Sequence, residues 1–278
     1  VNVLPSGPAK LNSPFRYPGG KFYARKRITP RLPAHANYCE LFCGGSSIFF
    51  YKPKAAHTIL NDLDGELINC LLHVRDRVEA MIDALQGVRA TKANHALYKA
   101  SRPGDDLGRA VRWYFLNRVS YSGIMKTENC YWGYGAKYSR TPERWPANLR
   151  AASEKLQGVE ITCRDFRDVL RDIGSDYFLF IDPPYYGTAQ GKFYTHAFTK
   201  KDHDDLCTLL IQRSEDIKFF LTYDNHPEVW KLYGHWCNVL KQEWGYAIQR
   251  TDDQRNDRKL ADGHQGRRSK GRELFVTN

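Results

Sequence analysis

Acidic residues are missing from the start of the chain: none occurs before Glu40, although Lys10, Arg16, Lys21, Arg25, Lys26, Arg27 and Arg31 all do. No apolar run approaches the ~20 residues that cross a bilayer, so a membrane partner is not expected. Val1 to Lys10 lacks the charged-then-apolar pattern of a secretory leader, and the expected location is the cytoplasm. Cysteines at zinc-ribbon spacing are absent too. Cys39 and Cys43 lie four apart, and Cys70, Cys130, Cys163, Cys207 and Cys237 are scattered. An odd total of seven points to free thiols, neither a disulfide scaffold nor a metal site. There is no internal repeat and no low-complexity tract, which excludes solenoids. No Gly-x-x-x-x-Gly-Lys-Ser/Thr follows a strand, which argues against a phosphate-loop hydrolase.

What is present is a folded, basic chain. Hydrophobic residues make up 42% of 278 positions, enough for one large domain or a core domain with an insert. The net charge is +11, and the charge is blocked. Between Gly108 and Arg150 eight Lys or Arg face only Glu128 and Glu143, and from Arg250 to Arg272 eight face four Asp. One such block is ordinarily a solvated face; three on one chain favour a surface that tracks a polyanion.

Periodicity gives the architecture. Residues 36–50 read as a strand, a glycine turn and the start of a helix, and Thr58–Leu60 as a second strand. Leu67, Leu71, Val74, Val78, Met81 and Leu85 recur at helical spacing, as do Leu107, Ala110, Val111, Tyr114 and Phe115. Residues 119–147 break the pattern with Tyr, Trp, Gly, Ser and Asn and read as loops or a hairpin. Alternation resumes with a strand at Val159–Cys163, a helix at Arg167–Ile173, and Tyr177–Ile181, an apolar run expected of a buried parallel strand. A helix at Asp202–Arg213, a strand at Ile217–Tyr223 and a helix at His226–Tyr233 follow. Trp236–Leu240, Trp244–Gln249 and Leu274–Thr277 are expected as closing strands. The pattern predicts an α/β fold with a mainly parallel sheet. Residues 1–85 and 156–278 form its main domain, and 86–155 a mostly helical insert.

Ligands of open α/β sheets bind beyond the carboxyl ends of the strands, and three signals fall there. Glu40-Leu41-Phe42-Cys43-Gly44-Gly45 ends the first strand; paired glycines permit a sharp turn and close ligand approach, though any tight turn also uses them. Asp62, eighteen residues after Gly44, is placed to accept ribose hydroxyls of a nucleoside cofactor, or to cap the next helix. The sharpest signal is Asp182-Pro183-Pro184-Tyr185. Two prolines remove two backbone donors and fix φ twice, presenting an acid and an aromatic ring in rigid geometry. The Asp182 carboxylate and Pro183 carbonyl suit the two N–H protons of an exocyclic amine. Accepting both favours a pyramidal nitrogen with its lone pair aimed at an electrophilic methyl, while Tyr185 stacks on an extruded base.

In this order the signals resemble the Dam-type, D12-class DNA adenine N6-methyltransferases. The resemblance rests on Pro14-Phe15-Arg16-Tyr17-Pro18-Gly19-Gly20-Lys21, then Glu40–Gly45, Asp62, Asp165-Phe166 and the DPPY tetrad, and spans Ser13 to Asn278. It implies a Rossmann-like S-adenosylmethionine-dependent methyltransferase sheet whose insert recognises double-stranded DNA and whose target adenine flips out. Tyr17, Lys21, Glu40, Phe42, Gly44, Asp62, Asp165, Phe166 and Asp182 would bind the cofactor, with Lys21 near its carboxylate and Asp62 on its ribose. Asp182, Pro183, Pro184 and Tyr185 would be catalytic. Leu116-Asn117-Arg118, Tyr121 and Gly123 resemble the recognition helix and loop, so Arg118, Tyr121, Ser122 and Lys126 are expected to contact DNA. Phe193-Tyr194 and Phe198 follow the tetrad, and Glu273–Asn278 resembles the last strand. No metal is implied, and a monomer or weak dimer is expected.

The sequence departs from the family where the DNA is read. Tyr121-Ser122-Gly123 stands where the family carries Tyr-Asn-Gly, and Lys126 where it carries an arginine. Ser and Lys do not reproduce the bidentate contacts of Asn and Arg, so a simple GATC target is not expected. Two alternatives stay open: methylation of another amine (RNA adenine, cytosine N4 or a protein glutamine), and a DNA-binding protein with an inactive methyltransferase fold. Residues 250–272, basic and glycine-containing, are expected to order on DNA.

Overall fold

A computed structural model describes residues 10–135, 139–186, 195–245 and 270–278. Seven strands lie in one sheet among these residues: β1 (Asn37–Glu40), β2 (His57–Asn61), β3 (Glu160–Thr162), β4 (Tyr177–Ile181), β5 (Lys218–Asp224), β6 (Asn238–Gly245) and β7 (Lys270–Thr277). Their order is β3-β2-β1-β4-β5-β7-β6. The first five are parallel, and β7 runs antiparallel to both β5 and β6. The helices are α1 (Arg25–Ile28), α2 (Ser47–Tyr51), α3 (Gly65–Asp76), α4 (Val78–Leu85), α5 (Lys92–Ala100), α6 (Asp106–Val119), α7 (Trp145–Leu156), α8 (Phe166–Asp172), α9 (Lys200–Gln212) and α10 (Pro227–Tyr233).

The alternation of side chains along the strands sorts two cores. Tyr38, Leu60, Phe178, Phe180, Phe220 and Phe275 point to one face, against α2, α3, α4, α6 and α7. Cys39, Leu41, Leu179, Ile181, Phe219, Leu221, Leu274 and Val276 point to the other, against α8, α9 and α10. Burial on both faces is why these strands read as unbroken apolar runs. The helices of residues 86–155 add Trp113, Tyr114, Phe115 and Trp145 to the first core, so this stretch is continuous with the sheet's own packing.

Two elements differ from the sequence expectation. The periodic run from Leu67 to Leu85 is two helices, because Arg77 leaves helical geometry at φ −138°, ψ 37°. Apolar spacing is preserved across a single-residue break, so periodicity does not reveal it. The two strands expected at Trp236–Leu240 and Trp244–Gln249 are instead one continuous strand over its described length, β6, paired along β7. Its Lys241-Gln242-Glu243 centre lies on the outermost strand, where charged residues suit an edge and mimic a break. Residues 246–249, Phe193-Tyr194 and most of the 250–272 block lie outside the described residues.

The strand ends are tied by a side chain. Asn61, 1% exposed, closes β2. Its amide donates to the Leu41 carbonyl at 3.1 Å and the Arg164 carbonyl at 3.0 Å. Its oxygen accepts from Thr162 Oγ1 at 2.7 Å and the Arg164 N–H at 3.1 Å. One amide thus fixes the chain as it leaves β1, β2 and β3. Asn61→Ala would strand several buried polar groups and is expected to cost roughly 3 kcal/mol, read as a lower urea midpoint with unchanged m-value.

Candidate active site

The strand order reverses between β1 and β4: β2 and β3 lie to one side, β5 to the other. Beyond the carboxyl ends of β1, β2 and β4 opens a cavity of about 750 Å³, within the range that takes a drug-sized ligand. Tyr17–Lys21, Glu40–Ile48, Asn61–Leu63, Arg164–Arg167, Asp182–Tyr185 and Thr195–Phe198 line it.

Asp182 leaves β4 at the floor of this cavity. Lys21 Nζ bridges its carboxylate, 2.6 Å from Oδ1 and 2.7 Å from Oδ2, and donates to the Gly19 carbonyl at 3.1 Å. Thr222, on β5, donates its hydroxyl to Asp182 Oδ1 at 2.6 Å. An ammonium only 3% exposed is tolerable in such a place because it is paired. The same ammonium sits 4.8 Å from the centre of the Tyr185 ring. Behind the tetrad, Tyr186 packs between His203 and His226, with centroids 4.4 and 4.9 Å away. Its N–H donates to Asp224 Oδ1 at 3.2 Å, and His203 Nδ1 lies 2.6 Å from the Tyr223 hydroxyl. Burial pulls the His203 imidazole down to about 4, so it stays neutral and serves as packing.

The turn after β1 is built around Tyr17. Gly44 has φ +45°, and a Cβ there would lie 3.0 Å from the Tyr17 ring; one at Gly45 would lie 3.0 Å from Tyr17 Cβ. Glycine is needed at 44 for both reasons. Glu40 accepts from Tyr38 Oη at 2.9 Å and the Phe49 N–H at 2.6 Å, and burial lifts its carboxyl to about 7. Asp62 accepts the Gly44 N–H at 2.8 Å and the Asp64 N–H at 3.0 Å. Burial raises it to about 6, although both amides pull the other way. Asp64 caps α3 and accepts from Thr195 Oγ1 at 3.0 Å.

One wall is aromatic. The rings of Phe42, Phe166 and Phe198 form a triangle with centroids 5.5, 5.5 and 5.6 Å apart. Asp165 caps α8 by accepting the Arg167 N–H at 2.8 Å. The Arg167 guanidinium ties Asp165 to Asp202 and Asp205 on α9. The cavity therefore presents an aromatic cluster, a carboxylate hydrogen-bonded to a glycine turn, and a second carboxylate held by a lysine. That set suits a nucleoside bearing a charged tail, with a reacting atom near Asp182.

A profile of the D12 class of N6 adenine-specific DNA methyltransferases matches residues 17–248. The chain belongs to this class. It is similar to the type II methyltransferase M.MjaIII of Methanocaldococcus jannaschii, 27% identical over 216 residues that cover 68% of this chain and 74% of that protein. It is also similar to the DNA adenine methylase of Escherichia coli K12, 25% identical over 213 residues that cover 72% and 76% of the two chains. The DNA N-6-adenine-methyltransferase of Escherichia phage P1 is 28% identical over 234 residues, which cover 79% of this chain but 30% of that longer protein.

In this D12-class chain Tyr17, Lys21, Glu40, Phe42, Gly44, Asp62, Asp165, Phe166 and the tetrad all line the one cavity. Ser122 joins them from the insert, with φ +53°. The four residues expected on DNA lie at the end of α6 and in the turns that follow it. Tyr121 and Lys126 are half-buried. Arg118 is 6% exposed, and its guanidinium donates to the Pro14 carbonyl at 3.3 Å. Its guanidinium faces protein here, at the position where the sequence reading expects a contact with DNA. The sequence pattern singled out neither Thr222 nor Asn61 as a functional residue. Both are polar residues near the ends of apolar strands, and that is the one local signal that marks them.

Proposed function

We propose that the cavity binds S-adenosylmethionine and that the chain transfers its methyl group to the N6 amine of an adenine flipped out of double-stranded DNA. The observation that carries this reading is the Asp182 carboxylate, fixed by Lys21 and Thr222 in the lining of the cavity at the strand ends. The donor set fits the cofactor. The Phe42, Phe166 and Phe198 triangle takes a purine, Asp62 accepts ribose hydroxyls, and Lys21 faces the charged tail. When bound, the cofactor supplies an electrophilic methyl on a sulfonium.

The rest is done by the chain. A carboxylate offers about four acceptor positions. Lys21 and Thr222 occupy three of those on Asp182, leaving one on Oδ2 for an N6 proton. The Pro183 carbonyl accepts the other. Both bonds draw the amine lone pair out of conjugation; once the nitrogen has taken the methyl, one of these protons leaves by way of the Asp182 carboxylate to water. Tyr185 stacks on the base. The contribution is positioning and fixed dipoles, with no covalent protein intermediate. Residues 86–155 serve as the target-recognition module, Tyr121, Ser122 and Lys126 meet the duplex, and Arg118 supports them from within. Among the described residues no helix is long and apolar enough to cross a membrane, and no group of three or more His, Cys, Asp or Glu stands together for a metal.

Two outcomes test the reading. Nucleosides from unmethylated genomic DNA, incubated with protein and S-adenosylmethionine, should contain N6-methyladenine by mass spectrometry with the wild type and not with Asp182→Ala. Methylcytosine alone, or the same product from both proteins, would overturn it. The second outcome concerns pH. Burial raises the Asp62 carboxyl to about 6, so it is ionised above that pH and protonated below. A ribose hydroxyl binds the ionised form more strongly, since charge-assisted bonds are roughly twice as strong as neutral ones. Affinity for sinefungin, a non-reactive analogue, should therefore weaken as pH falls through about 6. Asp62→Asn, which cannot ionise, should bind weakly with no inflection there. Isothermal titration at pH 5 to 8 reads both.

A further inference from the structure

We infer that Asn117 is a positioning residue that joins the DNA-reading turn to the cofactor loop, so that occupancy of either site raises affinity at the other. The inference rests on the reading above and goes beyond it by naming the joint.

Residues 13–17 lie outside any helix or strand, so their backbone polar groups need partners from elsewhere. Asn117, fully buried on α6, supplies two. Its oxygen accepts the Arg16 N–H at 2.9 Å, and its amide donates to the Arg16 carbonyl at 2.6 Å. This is the pairing one strand would give another, made here by one side chain across 101 residues of sequence. Arg16 answers in kind. Its guanidinium donates to the Arg118 and Ser120 carbonyls at 3.4 and 3.2 Å, and to Ser139 Oγ at 3.3 Å. A cation on those carbonyls, where α6 ends, also suits the helix dipole.

The turn that follows α6 is pressed on the same residue. Gly123 has φ +70°, and a Cβ there would lie 2.5 Å from the Arg16 carbonyl oxygen. Ser122, one position earlier, lines the cavity. On the other side of the joint, Tyr17 packs on Gly44 and Gly45, and Lys21 reaches Asp182. Arg16 therefore carries the reading turn, and the residue after it carries the cofactor loop. A ligand that fixes Tyr17–Lys21 fixes the Arg16 carbonyl, and with it residues 121–123. A bias that one ligand places on this joint is passed to the other site, and linkage makes the gain equal in both directions.

The test measures sinefungin affinity by isothermal titration, with and without saturating unmethylated duplex DNA. For the wild type the ratio of the two dissociation constants should be about five or more, within the usual range of coupled sites. In Asn117→Ala, shown folded by circular dichroism, it should fall to within about two-fold of unity. Asn117→Asp keeps the acceptor for the Arg16 N–H and loses the donor to its carbonyl, and should give an intermediate ratio. Gly123→Ala disturbs the joint from the turn side and should also lower the ratio; it decides the matter if Asn117→Ala does not fold. A wild-type ratio of one, or a variant that keeps the wild-type ratio, overturns the inference and leaves the methyltransfer reading standing. No sinefungin binding by the wild type would sink that reading itself.

Discussion

Everything in the site is arranged around one carboxylate and the lysine that holds it. Asp182 stands where β4 ends, with an ammonium across both oxygens and a hydroxyl from the neighbouring strand on one of them. A carboxylate so pinned keeps its orientation without help from a substrate, so no reorganisation is needed when an amine arrives. The requirement reaches far along the chain. Lys21 must come from the N-terminal segment, Thr222 from β5, and the prolines after Asp182 must keep the backbone from folding away. Asp182 and Thr222 are brought together because β4 and β5 are neighbours in the parallel sheet, and Lys21 reaches Asp182 from the segment before α1.

The rest of the cavity follows from the same sheet edge. Glu40 closes β1 and Asp62 follows β2, the Asn61 amide locks those ends to each other, and Asp165 opens the helix after β3. Glu40, buried, and Asp62, partly buried, are lifted to about 7 and about 6 because desolvation outweighs the hydrogen bonds they receive. The stretch 86–155 shares the first core of the sheet. Its own contribution to the cavity is Ser122, delivered on a turn that rests on Arg16.

The sequence revealed what is encoded locally. Tyr177–Ile181 is a strand with the bounds its apolar run implies, and Asp182–Tyr185, Asp62 and Glu40 lie at strand ends as their positions suggested. Interactions between distant positions were not legible. The Asn117–Arg16 pairing leaves no periodic trace: Asn117 stands out only as part of a stretch resembling the recognition helix, and Arg16 only as part of the N-terminal motif. Arg118 looked like a surface cation within a basic block, whereas its side chain is folded inward against Pro14. Net charge cannot tell a guanidinium that faces solvent from one that caps a carbonyl. The break at Arg77 was hidden for a related reason, since it changes direction without changing spacing.

The central claim, that the rate of methyl transfer depends on how firmly Asp182 is held, is tested most directly by the single-turnover rate of Thr222→Val. Valine keeps the shape of threonine and removes only the hydroxyl that reaches Asp182 at 2.6 Å. The account predicts a rate lower by about ten-fold, equivalent to ~1.4 kcal/mol in the barrier, with sinefungin affinity unchanged within about two-fold. A single-turnover rate equal to the wild type, in a folded variant that binds sinefungin normally, would contradict it.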